Sequence, residues 1–181
     1  MRQVKGTIIK RVAIPIKANK TGAYDALLSD KSKQLLAERI VDPVWYPFEP
    51  YKECFDALCQ VEARNDRRII IQWGRNLGED LLKSVYKTSV TTINSTAVIS
   101  SFVRFHSMIF NFGEVEGKIL SGHKAEIIFK DFEPDWNNFY YILAGWVQRF
   151  FEICLGKEIK YQIVKNPTPG VVANHIQVSW V

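Results

Sequence analysis

The chain has 181 residues, 47% of them apolar and 24% charged, and carries a formal net charge of +5. One domain, residues 1 to 181, fits this length, and the composition excludes a disordered or disulfide-stapled chain. The three cysteines, Cys54, Cys59 and Cys154, form no CxxC and no finger spacing, so buried thiols in a reducing cytoplasm are expected.

The charge is uneven. Residues 1 to 40 hold nine Lys or Arg against three acids, and the remainder holds 15 against 16. A basic N-terminal edge suits a solvated face, an acidic partner or anionic lipid. Nucleic acid is disfavoured because no aromatic residues interleave with these cations. The first twenty residues carry no long apolar stretch of the kind a signal peptide needs. No apolar run reaches the roughly 18 residues of a membrane span, because Gln148, Arg149 and Glu152 interrupt the most apolar one.

In chain order, β-branched residues beside charges in 4–12 predict a short strand. Residues 23–40 predict one or two helical pieces, with Ser29 or Asp30 as a cap. Pro43, Pro47 and Pro50 predict an extended, packed connector that buries Trp45, Tyr46 and Phe48. Tyr51, Cys54, Phe55, Leu58, Cys59 and Val61 recur at helical spacing in 51–64. A second helical stripe runs from 67 to 87, from Ile69 to Val85. Within it "GRNLG" at 74–78 is a GxxxG, the mark of close helix packing. A β-branched polar loop at 88–96 precedes a helix over 97–112, capped by Ser95 or Thr96 and ended by Gly113, with Val98, Phe102, Phe105 and Ile109 on one face.

The last third changes character. Residues 113–132 read as strands with turns at Gly117 and Gly122. A long helix over 135–155 follows, with Asp135 as cap and Gly156 past its end. It is too apolar to be an ordinary surface helix, so it is buried on most of its circumference. The domain's own helices are the first expected cover, ahead of a second subunit or a ligand. Residues 157–164 and 175–181 alternate with matching periods and predict a hairpin joined by 166–173. The whole is α+β: N-terminal helices packed on a C-terminal antiparallel sheet with one long inserted helix.

No HExxH, GxSxG, Walker A loop or dinucleotide fingerprint is present. Asp131, Glu133 and Asp135 read as acids that favour a helix start rather than a cation site. His123 and His175 are expected to be exposed. His106 lies in "SFVRFHSMIF" among Phe102, Phe105 and Phe110. A histidine among aromatics is usually a core residue and can also ligate haem.

The segments "WYPFEPYKECFDAL", "IQWGRNLGEDLLKSVYK", "FVRFHSMIFNFGEVEG", "ILAGWVQRFFEICLGKEIKYQIV" and "IQVSW" together resemble a bacterial group of uncharacterised proteins. That group is related to the 4-vinyl-reductase-type ligand-binding domain, whose superfamily includes haem–nitric-oxide-binding (H-NOX) domains and core subunits of the TRAPP tethering complex. The resemblance implies a ligand-binding or scaffolding fold, often dimeric, without catalysis of its own. His106 falls roughly where the H-NOX proximal histidine would, while the Tyr-x-Ser-x-Arg motif that holds haem propionates in H-NOX domains is absent. The C-terminal hairpin lacks the cysteines common in 4-vinyl-reductase-type domains, so no cysteine metal site is implied.

These readings converge on a cytoplasmic, non-enzymatic sensor or interaction module. It is expected to bind a small apolar ligand or a protein partner, as a homodimer and without a cofactor. Trp45, Trp73, Phe102, Phe105, His106, Tyr141 and Trp146 are the candidate lining residues, because large rings with few polar anchors favour concave apolar sites. The alternative is a haem-based gas sensor with His106 as axial ligand.

Overall fold

A computed structural model describes residues 1–84, 94–165 and 173–181. Most of the predicted loop at 88–96 and of the hairpin connection at 166–173, together with the end of the 67–87 stripe, lies outside the described residues. The chain divides into two compact units: Met1–Asp66 with Ser107–Phe112, and Arg67–His106 with Gly113–Val181.

In the first unit, strand β1 (Gln3–Lys5) pairs antiparallel with β2 (Trp45–Pro47), Val4 opposite Tyr46. Helix α1 (Gly6–Ala18) follows β1 directly, so the strand expected over 4–12 is three residues long and a helix takes the rest. The reason lies in spacing. Ile8, Ile9, Val12, Ala13 and Ile16 are all buried, and they recur every three or four residues rather than every two. Their β-branched chemistry suggested a strand, but the apolar period decided the conformation.

Helix α2 (Asp30–Ala37) starts as expected: the Ser29 hydroxyl accepts from the Ser32 backbone N–H. That hydroxyl also donates to the Glu53 carboxylate at 2.6 Å, tying the cap to helix α3 (Phe48–Glu62). Ser29→Ala is expected to lower stability by about 1 kcal/mol, read as a shift in the urea midpoint. An unchanged midpoint would show that the cap is dispensable. The connector is extended only to Pro47, because Pro50 sits in the first helical turn, where its missing N–H costs nothing. Tyr46 and Phe48 are buried as predicted, whereas Trp45 is half-buried. In α3 the predicted stripe of Tyr51, Cys54, Phe55, Leu58 and Cys59 is buried.

The second unit is built on a four-stranded antiparallel sheet in the order β3–β4–β6–β5. Its strands are β3 (Glu114–Ser121), β4 (Lys124–Lys130), β5 (Ile159–Lys165) and β6 (Ala173–Trp180). The predicted hairpin pairing is present, with Tyr161 opposite Val178 and Ile163 opposite Ile176. Gly117 is not a turn. It lies inside β3, where an added Cβ would meet the Ile99 side chain at 2.0 Å. Alternation puts Ala125, Ile127, Phe129, Ile176 and Val178 on one sheet face, all at most 1% exposed.

The long inserted helix α6 (Asn137–Leu155) packs on this sheet and against helix α4 (Arg67–Ser84). Its first helical residue is Asn137 and its cap is Trp136 rather than Asp135. Gly156 ends it at φ +64°, a left-handed conformation that glycine adopts without a Cβ penalty. The cover of its remaining face is the domain's own α4. Gly74, Gly78 and Gly145 let the two backbones approach: a Cβ on Gly74 would lie 2.0 Å from the Ile142 carbonyl oxygen, and one on Gly145 2.0 Å from that of Ile71. The GxxxG therefore packs a helix pair, as its spacing implied. The stripe of polar residues on α6 serves the same contact. Glu152 accepts from both terminal nitrogens of Arg75 at 2.9 Å, and Arg149 donates to Glu79. Burial works to raise the Glu152 carboxyl, but the bonds from Arg75 and Arg149 outweigh it and hold the group below its usual range. Gln148 turns the other way and donates to the Ile159 carbonyl of β5 at 2.7 Å.

Candidate functional site

Helix α5 (Ser95–Ile109) carries the residue of greatest chemical interest. Its cap is Asn94, whose side chain accepts from the Thr96 N–H at 2.8 Å, one residue earlier than expected. It ends at Ile109 rather than near 112. The predicted face of Val98, Phe102, Phe105 and Ile109 is buried, and His106, one position after Phe105, is only 2% exposed.

Around His106 the second unit assembles rings from four segments. The imidazole packs edge-on against Phe132 at 5.3 Å and Phe129 at 6.1 Å between ring centres. Phe129 belongs to β4 and Phe132 to the link before α6. Phe102 meets Trp146 at 5.1 Å and Phe150 at 5.5 Å, and Phe105 meets Phe150 at 5.5 Å. Trp136, Phe139 and Phe132 extend the cluster as a stack, with centres 4.5 and 5.1 Å apart. Edge-to-face and offset-stacked contacts are the favoured aromatic geometries, so this interior is closely packed rather than merely apolar.

Of the seven residues expected to line a site, Phe102, Phe105, His106 and Trp146 fall in this cluster. Trp73 and Tyr141 lie in the same unit, on α4 and α6, and are half-buried. Trp45 belongs to the first unit, on β2, where the Lys5 ammonium sits 3.9 Å from its ring centre. Sequence reasoning passed over Phe129, Phe132, Phe139 and Phe150. Phe129 and Phe150 carry a signal, since each lies on the buried face of an element whose apolar period is visible in the sequence. Phe132 lies just beyond β4, where no period applies.

Burial shapes the protonation chemistry here. It pushes the His106 imidazole down to about 3, so the ring is neutral at ordinary pH. Neutral imidazole is the form that ligates a metal. The same burial pushes the Tyr140 hydroxyl up to about 12, with Asn174 acting in the opposite sense.

A second polar group sits on the opposite face of the sheet. His175, expected to be exposed, is 8% exposed, and its Nδ1 lies 2.8 Å from Oε1 of Glu126 across the β4–β6 pair. Gln177 donates to the same oxygen at 2.9 Å. Burial alone would raise the Glu126 carboxyl, but Gln177 and His175 reverse this and hold it below the usual range. His175 follows the 166–172 segment in the chain, but β6 is an inner strand paired on both edges, and the His175 ring lies against Glu126 of the neighbouring β4. The three cysteines are not activated for nucleophilic chemistry: burial raises the Cys54 and Cys154 thiols to about 11 and raises Cys59 further.

No family model and no curated protein matches the chain. Solved structures do. An Fe(II) unliganded H-NOX protein from K. algicida superposes with a TM-score of 0.66 at 10% identity, covering 98% of this chain and 96% of that one. A single-site mutant of T. tengcongensis H-NOX superposes at 0.62 with 13% identity, covering 97% of each chain. A structure described as modulating haem redox potential through protein-induced porphyrin distortion superposes at 0.61 with 12% identity, covering 97% of this chain and 99% of that one. The fold is therefore H-NOX-like, α+β with antiparallel sheets. The expectation of a domain without a cofactor is corrected by these same neighbours, which are described as Fe(II) and haem proteins.

Proposed function

We propose that this chain is a haem-based sensor domain, with His106 as the axial ligand to iron. One observation carries the reading: a histidine held neutral by burial, on a helix of an H-NOX-like fold, among aromatic side chains. The donor chemistry fits. An imidazole that stays neutral down to about pH 3 loses no proton on binding iron, and an apolar surround raises the strength of its bond to a cationic metal. Phe129 and Phe132 fix the orientation of the ring through their edge contacts. Haem supplies the site for a diatomic ligand; the protein supplies the nitrogen and a shell that keeps water from it.

The test is reconstitution. Purified protein titrated with haemin is expected to give a Soret band at one haem per chain. His106→Gly is expected to lose most of the band and to regain it with added imidazole, which a merely unfolded variant would not do. Protein that stays colourless and takes up no haemin ends the reading.

A second reading is favoured by the ring-lined interior itself: a sensor for a small apolar ligand, held by aromatic contacts with His106 as its polar anchor. It predicts that the protein takes up a neutral aromatic probe, more weakly once His106 is replaced by leucine, and takes up no haemin.

A further inference from the structure

We propose that the outer face of α1 seats the protein on an anionic lipid surface. The observation is a coincidence of charge and exposed aliphatic residues on one helix stripe. Thr7, Lys10, Arg11, Ile14, Lys17 and Ala18 recur at spacings of three and four, and none of them is buried. They lie opposite the buried stripe of Ile8, Ile9, Val12, Ala13 and Ile16. Ile14, at the centre of the stripe, is 65% exposed.

The chain beside the helix continues this surface. Gly6 N–H donates to the Val44 carbonyl at 2.9 Å, and Thr7 N–H to the Asp42 carbonyl at 3.3 Å, which lays residues 41–44 along the first turn. In that segment Val41 is 40% exposed and Val44 44%, and Pro43 is exposed between them. Three aliphatic side chains thus stand in water on a surface whose helix contains no acidic residue. The Asp42 carboxylate, which lies against the stripe, is paired with Lys10 at 2.9 Å. Lys20, just past the helix end, adds another cation, and Lys17 is steadied by the Glu38 carbonyl while its ammonium keeps further donors.

The complementary occupant is a surface that is both negatively charged and penetrable by aliphatic side chains. Nucleic acid satisfies only the first requirement, and a folded acidic protein satisfies the second only where it carries an apolar pocket matched to these side chains. An interfacial layer of anionic phospholipid satisfies both: phosphate and carboxylate headgroups meet Arg11, Lys17 and Lys20, and Ile14 enters the boundary between headgroups and chains. Four of the nine cations in residues 1 to 40, namely Lys10, Arg11, Lys17 and Lys20, lie on this stripe or just past its end. It is independent of the haem reading, because it uses only the first unit.

The experiment is co-sedimentation of the full chain with vesicles of phosphatidylcholine alone and of phosphatidylcholine with about 30% phosphatidylserine. Binding is expected only to the second and is expected to weaken as salt is raised from about 50 to about 300 mM. Lys17→Ala should reduce the partition constant about fivefold. Ile14→Asp should reduce it more, and both positions are exposed enough to leave the thermal midpoint unchanged. Three results would overturn the proposal. One is equal binding to both vesicles. Another is full binding by Ile14→Asp. The third is binding to heparin with none to the phosphatidylserine vesicles, which points to a charged macromolecule instead.

Discussion

Gly145→Leu is expected to destabilise the second unit by at least about 3 kcal/mol, the largest effect of any single substitution discussed. The cause is steric. A single Cβ at this position would lie 2.0 Å from the Ile71 carbonyl oxygen, 2.9 Å from its carbon and 3.0 Å from the Arg75 nitrogen. All three are backbone atoms of α4 and cannot rotate aside. Ordinary contact needs about 3.4 Å, so α4 and α6 must separate by more than about 1 Å where their axes cross. That movement loosens the contacts of Trp146 with Gly78, and it pulls the Arg75–Glu152 and Arg149–Glu79 pairs apart. Gly145→Ala makes the sign diagnostic. Alanine gains up to about 1 kcal/mol in helix propensity over glycine, so a stabilised variant would mean that the helices do not touch here. Gly122 provides the control, because nothing lies within 4 Å of a Cβ at that position. Urea unfolding is expected to leave Gly122→Ala within about 0.5 kcal/mol of the parent and to displace both Gly145 variants to lower midpoints.

In the haem-free protein, acid is expected to unfold the chain early, through His106. Its imidazole is held at about 3 in the fold by burial, against an ordinary value of 6.5. The unfolded chain therefore binds the proton that the fold refuses. The stabilisation is complete above pH 6.5 and is lost progressively as pH falls from there toward 3. At about 1.4 kcal/mol per unit, the loss is roughly 2 kcal/mol by pH 5 and about 5 kcal/mol in full. The window from pH 6.5 to about 5 isolates this group from the held-down carboxylates. Glu126 and Glu152 lie below their ordinary 4.5, so their contribution is lost only as pH falls further. His106→Leu is expected to flatten the slope of stability against pH across that window while preserving an apolar fit to Phe129 and Phe132. Equal slopes for the two proteins would mean that His106 reaches solvent in the native state.

Much of this was legible along the chain. The apolar period of α3 and α5, the Ser29 cap, the terminal glycine of α6 and the matched alternation of β5 and β6 are all local signals, and each produced the element it indicated. His106 stood out by type and neighbourhood, because a titratable group inside an aromatic run is costly unless something else in the fold compensates. Local signals failed where two of them conflicted. In residues 4–12, β-branched composition argued for a strand and the period for a helix, and the period prevailed because burial rewards the face, not the residue type. The start of α6 was misplaced for another reason. Its cap is Trp136, which makes no side-chain capping bond, so the true start carries no polar signature that the sequence could show.

By itself, then, the sequence determined the class of the fold, the helical faces, the closing hairpin and the presence of a few residues able to do chemistry, because these follow from spacings of two, three and four. Only the tertiary structure decided which faces met. It put α4 on α6 through three glycines, brought Phe129 and Phe132 from distant segments against His106, and buried His175 beside Glu126. It also held the His106 ring neutral. Contacts between residues far apart in the chain leave no periodic trace, and the shift of a titratable group is set by the sum of such contacts around it.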